Sequence, residues 1–364
     1  MVVTFPHLGS MHIFCKAIAE TAGIPYIVPP TTSRRTLSLG VKYSNESVCL
    51  PFKIILGNFI EALEKGADTI VMVESGPPCR LGVYDLIHKI ILKDLGYSFR
   101  WLTIPSKFDL EFLIKNYHET KELKKELTLK NFFTFPYALY MGWLKMIAVE
   151  RLEKLAMLIR AREEESGITQ KRLKKALGYI DEAKNKKDVK EALKYGEEYI
   201  HKTPQDKKRN ILKVGIVGEL YTVMDPLINR GVEIKLGEMG VEVTRSSWFS
   251  YHIMRVLKMG KKWKRERENY LAASKRYLEY NVGAECNISV GEAIIKAKEG
   301  YDGIVHLMPF SCMPESTATP ILEQVSKDFS IPILTLILDE QDIEGRILTL
   351  LEAFVDMIKW RKKK

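Results

Sequence analysis

Short runs rich in β-branched residues, each separated from the next by a helical pattern of about 10–15 residues, recur at both ends of this chain, and that alternation admits few architectures. Near the N-terminus the runs lie at residues 2–5, 24–28, 69–73 and 99–104, with helical spacing over 11–22, 52–64 and 83–95. A second series starts at residue 211, where ILKVGIVGEL reads as strand then turn, followed by a helix over 226–239, a strand over 241–244 and a further helical region. Strands at 303–308 and 331–338 then enclose a helix over 315–329, and a last helix covers 343–360. Strands joined by helical crossovers lie parallel, with right-handed connections. The chain is therefore expected to be an α/β protein with two Rossmann-like parallel-sheet domains. From residue 107 the strand signal stops and long helix-forming runs take over, among them MGWLKMIAVERLEKLAMLIRAREEE, where Leu144, Ile147, Leu152, Leu155 and Leu158 form an apolar stripe. At 364 residues the chain exceeds the ~250–300 at which one core splits into domains. The expected division is an N-terminal Rossmann-like α/β domain over 1–106, a helical insertion or cap over 107–210 with an exposed central part at 170–205, and a C-terminal Rossmann-like α/β domain over 211–364.

Three cysteines fall where such a fold presents ligand sites, in loops that lead into helices. Cys312 lies in HLMPFSCMPE after the apolar run 303–305, Cys49 in SNESVCLPFK before a helix, and Cys79 in ESGPPCRLGVY after the strand at 69–73. Pro51, Pro77, Pro78, Pro309 and Pro314 stiffen the backbone around them. Thiolates are the preferred protein ligands of iron–sulfur clusters, and helix N-termini stabilise negative sulfur. The three are spread over roughly 260 residues and match no compact cluster motif, so cluster ligation and ordinary burial are both open on spacing alone. Cys15, beside Ile13, Phe14 and Ile18, reads as a core residue. Cys286, in VGAECNISVGEA, reads as a loop residue before a helix and is a candidate fourth ligand. Four further residues are candidates for the chemistry, each with a plainer reading beside it. Arg80 would offset cluster charge or bind an anion, or simply face solvent. Lys53 lies one helical turn beyond Cys49 and would face the cluster or the surface. His306 would be an acid or a donor to a ligand, or a satisfied core histidine. Glu315 would favour a helix N-terminus whatever else it does.

The formal charge of +10 comes from 56 basic against 46 acidic residues, and its densest runs, KKWKRERE and KWRKKK, read as solvated surface. No nucleic-acid-reading module is present, so nucleic acid is not an expected partner. Five widely spaced cysteines with no C-x-x-C argue against a disulfide framework and against a zinc ribbon. The start MVVTF has no signal-peptide pattern, and no window approaches the ~18–20 apolar residues of a membrane span, so a cytoplasmic location away from membranes is expected. The turn with Gly215, Gly218 and Glu219 lacks both nucleotide-loop patterns, which argues against NAD or ATP; Tyr221 and Asn229 lie nearby without an assignable role.

Taken together, PPTTSRRTLSLG, SVCLPFK, GPPCRLGVY and HLMPFSCMPE resemble the 2-hydroxyacyl-CoA dehydratase and benzoyl-CoA reductase subunit family, most of all its activase-related branch. The resemblance covers roughly residues 1–105 and 211–364 and leaves out the helical middle. It implies a [4Fe–4S] cluster held by Cys49, Cys79 and Cys312 in the cleft between the α/β domains, with one iron free of cysteine. It also implies a separate ATP-dependent activase as electron donor, a CoA thioester or related small molecule as substrate, and a homodimer or heterodimer. A double-cubane cluster would need more cysteines than this chain has. A non-catalytic electron-transfer or accessory protein of the activase system is the alternative reading of the same resemblance.

Overall fold

The computed structural model describes residues 1–73, 79–104, 129–245, 247–256, 260–341 and 344–363. It divides into two compact units, one comprising 1–147 with 184–186 and the other 148–183 with 187–364. Each holds a parallel sheet, so the chain is α/β. Among the described residues no helix is long and apolar enough to cross a membrane.

In the first unit, β1 (Val3–Thr4), β2 (Thr69–Val73) and β3 (Arg100–Ile104) pair in parallel in that order. The strand expected at 24–28 shrinks to one parallel bridge between Tyr26 and Val3. Pro25, Pro29 and Pro30 lack the N–H groups that a longer ladder needs, although Val3 still donates to the Pro25 carbonyl and Ile27 to that of Val3. Helix α1 (His12–Ala22) ends at Gly23, whose φ of 70° is the left-handed stop that glycine adopts freely. Helix α2 (Arg34–Tyr43) begins with a capping box in which Ser33 and Thr36 exchange side-chain and backbone hydrogen bonds.

Helix α3 (Leu50–Glu64) is buried at every position from Leu50 to Leu63. It crosses α2 with backbone against backbone. A Cβ on Gly40 would lie 1.8 Å from the Lys53 carbonyl oxygen, and one on Gly57 2.0 Å from that of Thr36. A one-turn 3₁₀ segment, Arg80–Val83, leads into α4 (Tyr84–Asp94).

The long helix α5 (Leu129–Arg160) is followed by α6 (Ile168–Glu182) and α7 (Lys186–His201). Helix α5 is divided between the two units after Ile147, whereas α6 and all of α7 but Lys186 belong to the second. The region expected to be exposed over 170–205 does bury a face, made of Leu173, Ala176, Ile180, Val189 and Ile200. On α5, Leu152 is buried and Leu158 is exposed, so the apolar stripe read from spacing is only partly the buried one. Residues 107–128 of the expected helical insertion lie outside the described residues.

The second unit holds β4 (Leu212–Gly218), α8 (Leu220–Met224), α9 (Val232–Glu238), β5 (Val241–Arg245), α10 (Phe249–Val256), α11 (Lys261–Ser274) and α12 (Cys286–Lys298). It continues through β6 (Gly303–Pro309), α13 (Met313–Asp328), β7 (Ile333–Leu338) and α14 (Glu344–Lys363). Its strands run β5-β4-β6-β7, all parallel. With the Tyr26 bridge counted as a strand position, the first sheet has the same order. The helix expected over 226–239 is confined to α9 because side chains hold a turn ahead of it. Asp225 Oδ1 accepts from Leu227 N at 3.0 Å and Asn229 Oδ1 from Gly231 N at 3.0 Å. Asn229 Nδ2 also donates to the Thr222 carbonyl at 2.9 Å, which gives Asn229 a complete structural role.

Buried charge fastens the C-terminal half of α5 within this unit. Arg245 Nη2 meets Glu153 at 2.5 Å and Arg245 Nη1 meets Glu233 at 3.2 Å, while Arg160 Nη1 reaches the other Glu233 oxygen at 3.4 Å. Glu150 accepts from both the N–H and the hydroxyl of Ser250, at 2.8 and 2.7 Å, and burial raises its pKa against those donors.

Candidate functional site

Helices that connect parallel strands run antiparallel to them, so their N-termini collect at the carboxyl edge of the sheet, where ligands bind in open α/β folds. Cys49 is the N-cap of α3 and Cys312 the N-cap of α13, both with extended backbone. Neither cap is closed by a side-chain hydrogen bond to its own helix. In both helices the second residue is proline, Pro51 or Pro314, a position where the missing N–H costs no helical bond. Cys79 stands immediately before the 3₁₀ segment, and its carbonyl accepts from Gly82 N at 3.0 Å. Pro77 and Pro78 lie outside the described residues.

Within the first unit the Cys49 and Cys79 loops are joined. Arg80 Nη1 donates to the Ser47 carbonyl at 2.9 Å, so this exposed arginine fastens one cysteine loop to the other. The hydroxyl of Tyr84 is hydrogen-bonded to Cys49 Sγ. Tyr84 is buried, with its ring edge-on to Phe52 at 4.8 Å, and Phe52 in turn stacks on His88 at 4.0 Å. His88 Nε2 donates to the Phe52 carbonyl at 3.1 Å, and burial pushes the imidazole down to about 3. Lys53, for which a surface position was the plainer expectation, is buried in α3.

In the second unit the candidates His306 and Glu315 form one buried network. His306 Nε2 donates to Glu315 Oε2 at 2.8 Å, and with that tautomer Nδ1 accepts from Thr335 Oγ1 at 3.3 Å. Ser289 Oγ donates to the other Glu315 oxygen at 3.2 Å. Glu219, at the end of β4, accepts from Tyr221 N at 3.0 Å and from both Thr222 N and its hydroxyl at 2.8 Å. Burial, with the Glu315 carboxylate adding to it, raises the Glu219 pKa against those donors. β4 and β6 are the strands between which the sheet order reverses, so these groups flank the switch point. Tyr221 is buried as well, which raises its pKa.

Cys286, expected in a loop before a helix from about Val290, is instead the first residue of α12. It is fully buried among Val217, Val290, Ala293, Ile304 and Ala318. Burial pushes its thiol up to about 12, the Glu315 carboxylate acting in the same direction. Those surroundings are those of a core side chain. Cys15 is likewise pushed up to about 12 by burial. The two sheets repeat the cysteine positions as well as the strand order. Cys49 and Cys79 start the segments before and after β2, and Cys286 and Cys312 start those before and after β6.

The [4Fe–4S] cluster implied by the resemblance requires soft thiolate donors in electropositive settings. The donor chemistry fits: Cys49 and Cys312 are the N-cap residues of two helices, and a phenol hydroxyl is hydrogen-bonded to one of the sulfurs. Among the described residues no cluster of three or more Cys, His, Asp or Glu is gathered as a metal site, so the fit is one of local setting at each thiol. Tyr84, His88 and Ser289 are contributors that the sequence reading did not single out. Tyr84 stands inside the quoted GPPCRLGVY motif, and its aromatic character there was the available signal.

No family model and no curated protein matches this chain.

Proposed function

We propose that this chain is an iron–sulfur protein of the 2-hydroxyacyl-CoA dehydratase type, with Cys49, Cys79 and Cys312 as ligands of a [4Fe–4S] cluster. In this reading it takes low-potential electrons from a separate ATP-hydrolysing activase and acts on a CoA thioester or related small molecule. The observation that supports it best is the joined pair of cysteine loops in the first unit, where Arg80 ties the Ser47 backbone beside Cys49 to the residue after Cys79. When bound, such a cluster supplies a one-electron reductant and, at an iron without a cysteine, a Lewis acid. The protein's own groups have simpler tasks. Cys49 and Cys312 stand at the starts of α3 and α13, the helix ends at which the dipole favours negative charge. Arg80 holds the two loops in register. His306 and Ser289 hold the Glu315 carboxylate, which lies in the first turn of the helix that Cys312 caps.

The test is anaerobic reconstitution of the full chain followed by measurement of bound iron and of the broad absorption expected near ~400 nm for cubane clusters. Cys49→Ser, Cys79→Ser and Cys312→Ser should each lose most of both, while Cys15→Ser retains them. A wild-type chain that binds no iron, or three loop variants that all keep it, would remove the proposal and leave the cysteines with a structural role.

A further inference from the structure

We infer that Tyr84 donates a hydrogen bond to the sulfur of Cys49 and thereby raises the reduction potential of the cluster that Cys49 helps to hold; this rests on the iron–sulfur reading above. Tyr84 opens α4 and is 2% exposed. Its ring is fixed by neighbours, with Phe52 edge-on at 4.8 Å and His88 at 5.7 Å. Phe52 lies three residues after Cys49 on the first turn of α3, so the contact that fixes the ring and the contact that receives the hydroxyl come from one rigid turn. The hydroxyl meets Cys49 Sγ. A phenol is a good donor, and a thiolate carrying cluster charge is an acceptor without a proton of its own. Reduction adds negative charge to a cluster and its ligand sulfurs. A donor already aimed at one of those sulfurs stabilises the reduced state more than the oxidised one, which is how hydrogen bonds to sulfur tune cluster potentials. Tyr84 touches no reacting atom in this scheme. It is a positioning residue that acts through Cys49.

The experiment compares the reconstituted full chain as wild type, Tyr84→Phe and Tyr97→Phe, measuring iron per chain and the midpoint potential by anaerobic redox titration. Tyr84→Phe keeps the ring and its packing and removes only the hydroxyl. It should retain iron while its midpoint moves to more negative potential by about tenfold in the reduction equilibrium, ~59 mV for a one-electron couple. Tyr97 follows the opposite end of α4 and serves as control, with no shift expected. Full iron in Tyr84→Phe with an unmoved midpoint, or with a shift no larger than the control's, overturns the inference and leaves the iron–sulfur reading standing. Loss of iron from Tyr84→Phe alone also overturns it, because the hydroxyl would then be an anchor of the site. A wild type without iron overturns the iron–sulfur reading, and this inference with it.

Discussion

Lowering the pH should destabilise the first unit through two buried histidines, and the size of the effect follows from where they sit. Burial holds His88 at about 3, and burial with the neighbouring His12 holds His7 at about 4. An unfolded histidine titrates near ~6.5. Both folded values lie below the unfolded one, so between them the unfolded chain binds a proton that the folded chain refuses. The stability these residues supply is complete above about pH 6.5 and drains away as pH falls toward their folded values. At ~1.4 kcal/mol per pKa unit, the ~1.5 units between the unfolded value and pH 5 amount to about 2 kcal/mol for each histidine, and about 4 kcal/mol for the pair. His88→Gln removes one titrating ring and keeps an N–H for the Phe52 carbonyl. Whatever this substitution does to absolute stability, it should flatten the pH dependence by about 2 kcal/mol between about pH 8 and about pH 5. Urea unfolding across that range, read by hydrogen-exchange protection of α3 peptides, reports the first unit alone. Parallel stability profiles for wild type and His88→Gln would refute the reasoning, since His88 would then protonate as readily folded as unfolded.

Substitutions at Glu315 and labelling or substitution at Cys286 test the second unit. Glu315→Ala strands the His306 and Ser289 donors in a buried site, so it should cost about 1–3 kcal/mol for each donor in urea unfolding, and Glu315→Gln, which keeps the shape and an acceptor, should cost less. The Cys286 thiol, pushed up to about 12, should resist alkylation in the folded protein near neutral pH and label only on unfolding; mass spectrometry of the labelled peptide decides this. Cys286→Ser should leave iron binding unchanged and cost about 1–3 kcal/mol by placing a hydroxyl in an apolar cluster.

The strands and the cysteine positions were legible because a parallel sheet writes itself as apolar runs at crossover spacing, and because a helix start is marked locally by proline. What stayed hidden has physical causes. Helix α2 lies within a stretch that reads only as a motif: its buried face is Thr36 and Gly40, which produce no apolar periodicity. Lys53 defied its ordinary surface preference because α3 is covered on all sides, a property of its neighbours. The Tyr84 contact joins residues 35 apart, and the His306, Glu315, Ser289 and Thr335 network draws on four separate elements, so neither leaves a trace in spacing. The Tyr26 bridge shows the opposite failure, a strong β pattern curtailed by the prolines that flank it.

The glycine contacts bear on how distant relatives of this chain would be recognised. At Gly40, Gly57 and Gly291 a side chain would fall within 1.8–2.0 Å of another helix's carbonyl oxygen, so shape alone selects against substitution there, whatever the protein does. Under the proposed function the thiols answer only to chemistry. A descendant that kept these glycines and lost Cys49, Cys79 and Cys312 would have retired the chemistry and kept the scaffold, whereas one that kept the thiols and filled the glycine positions would have had to re-space its helices. Aligning on the glycines first, and reading the cysteines afterwards, separates inheritance of the scaffold from inheritance of the activity.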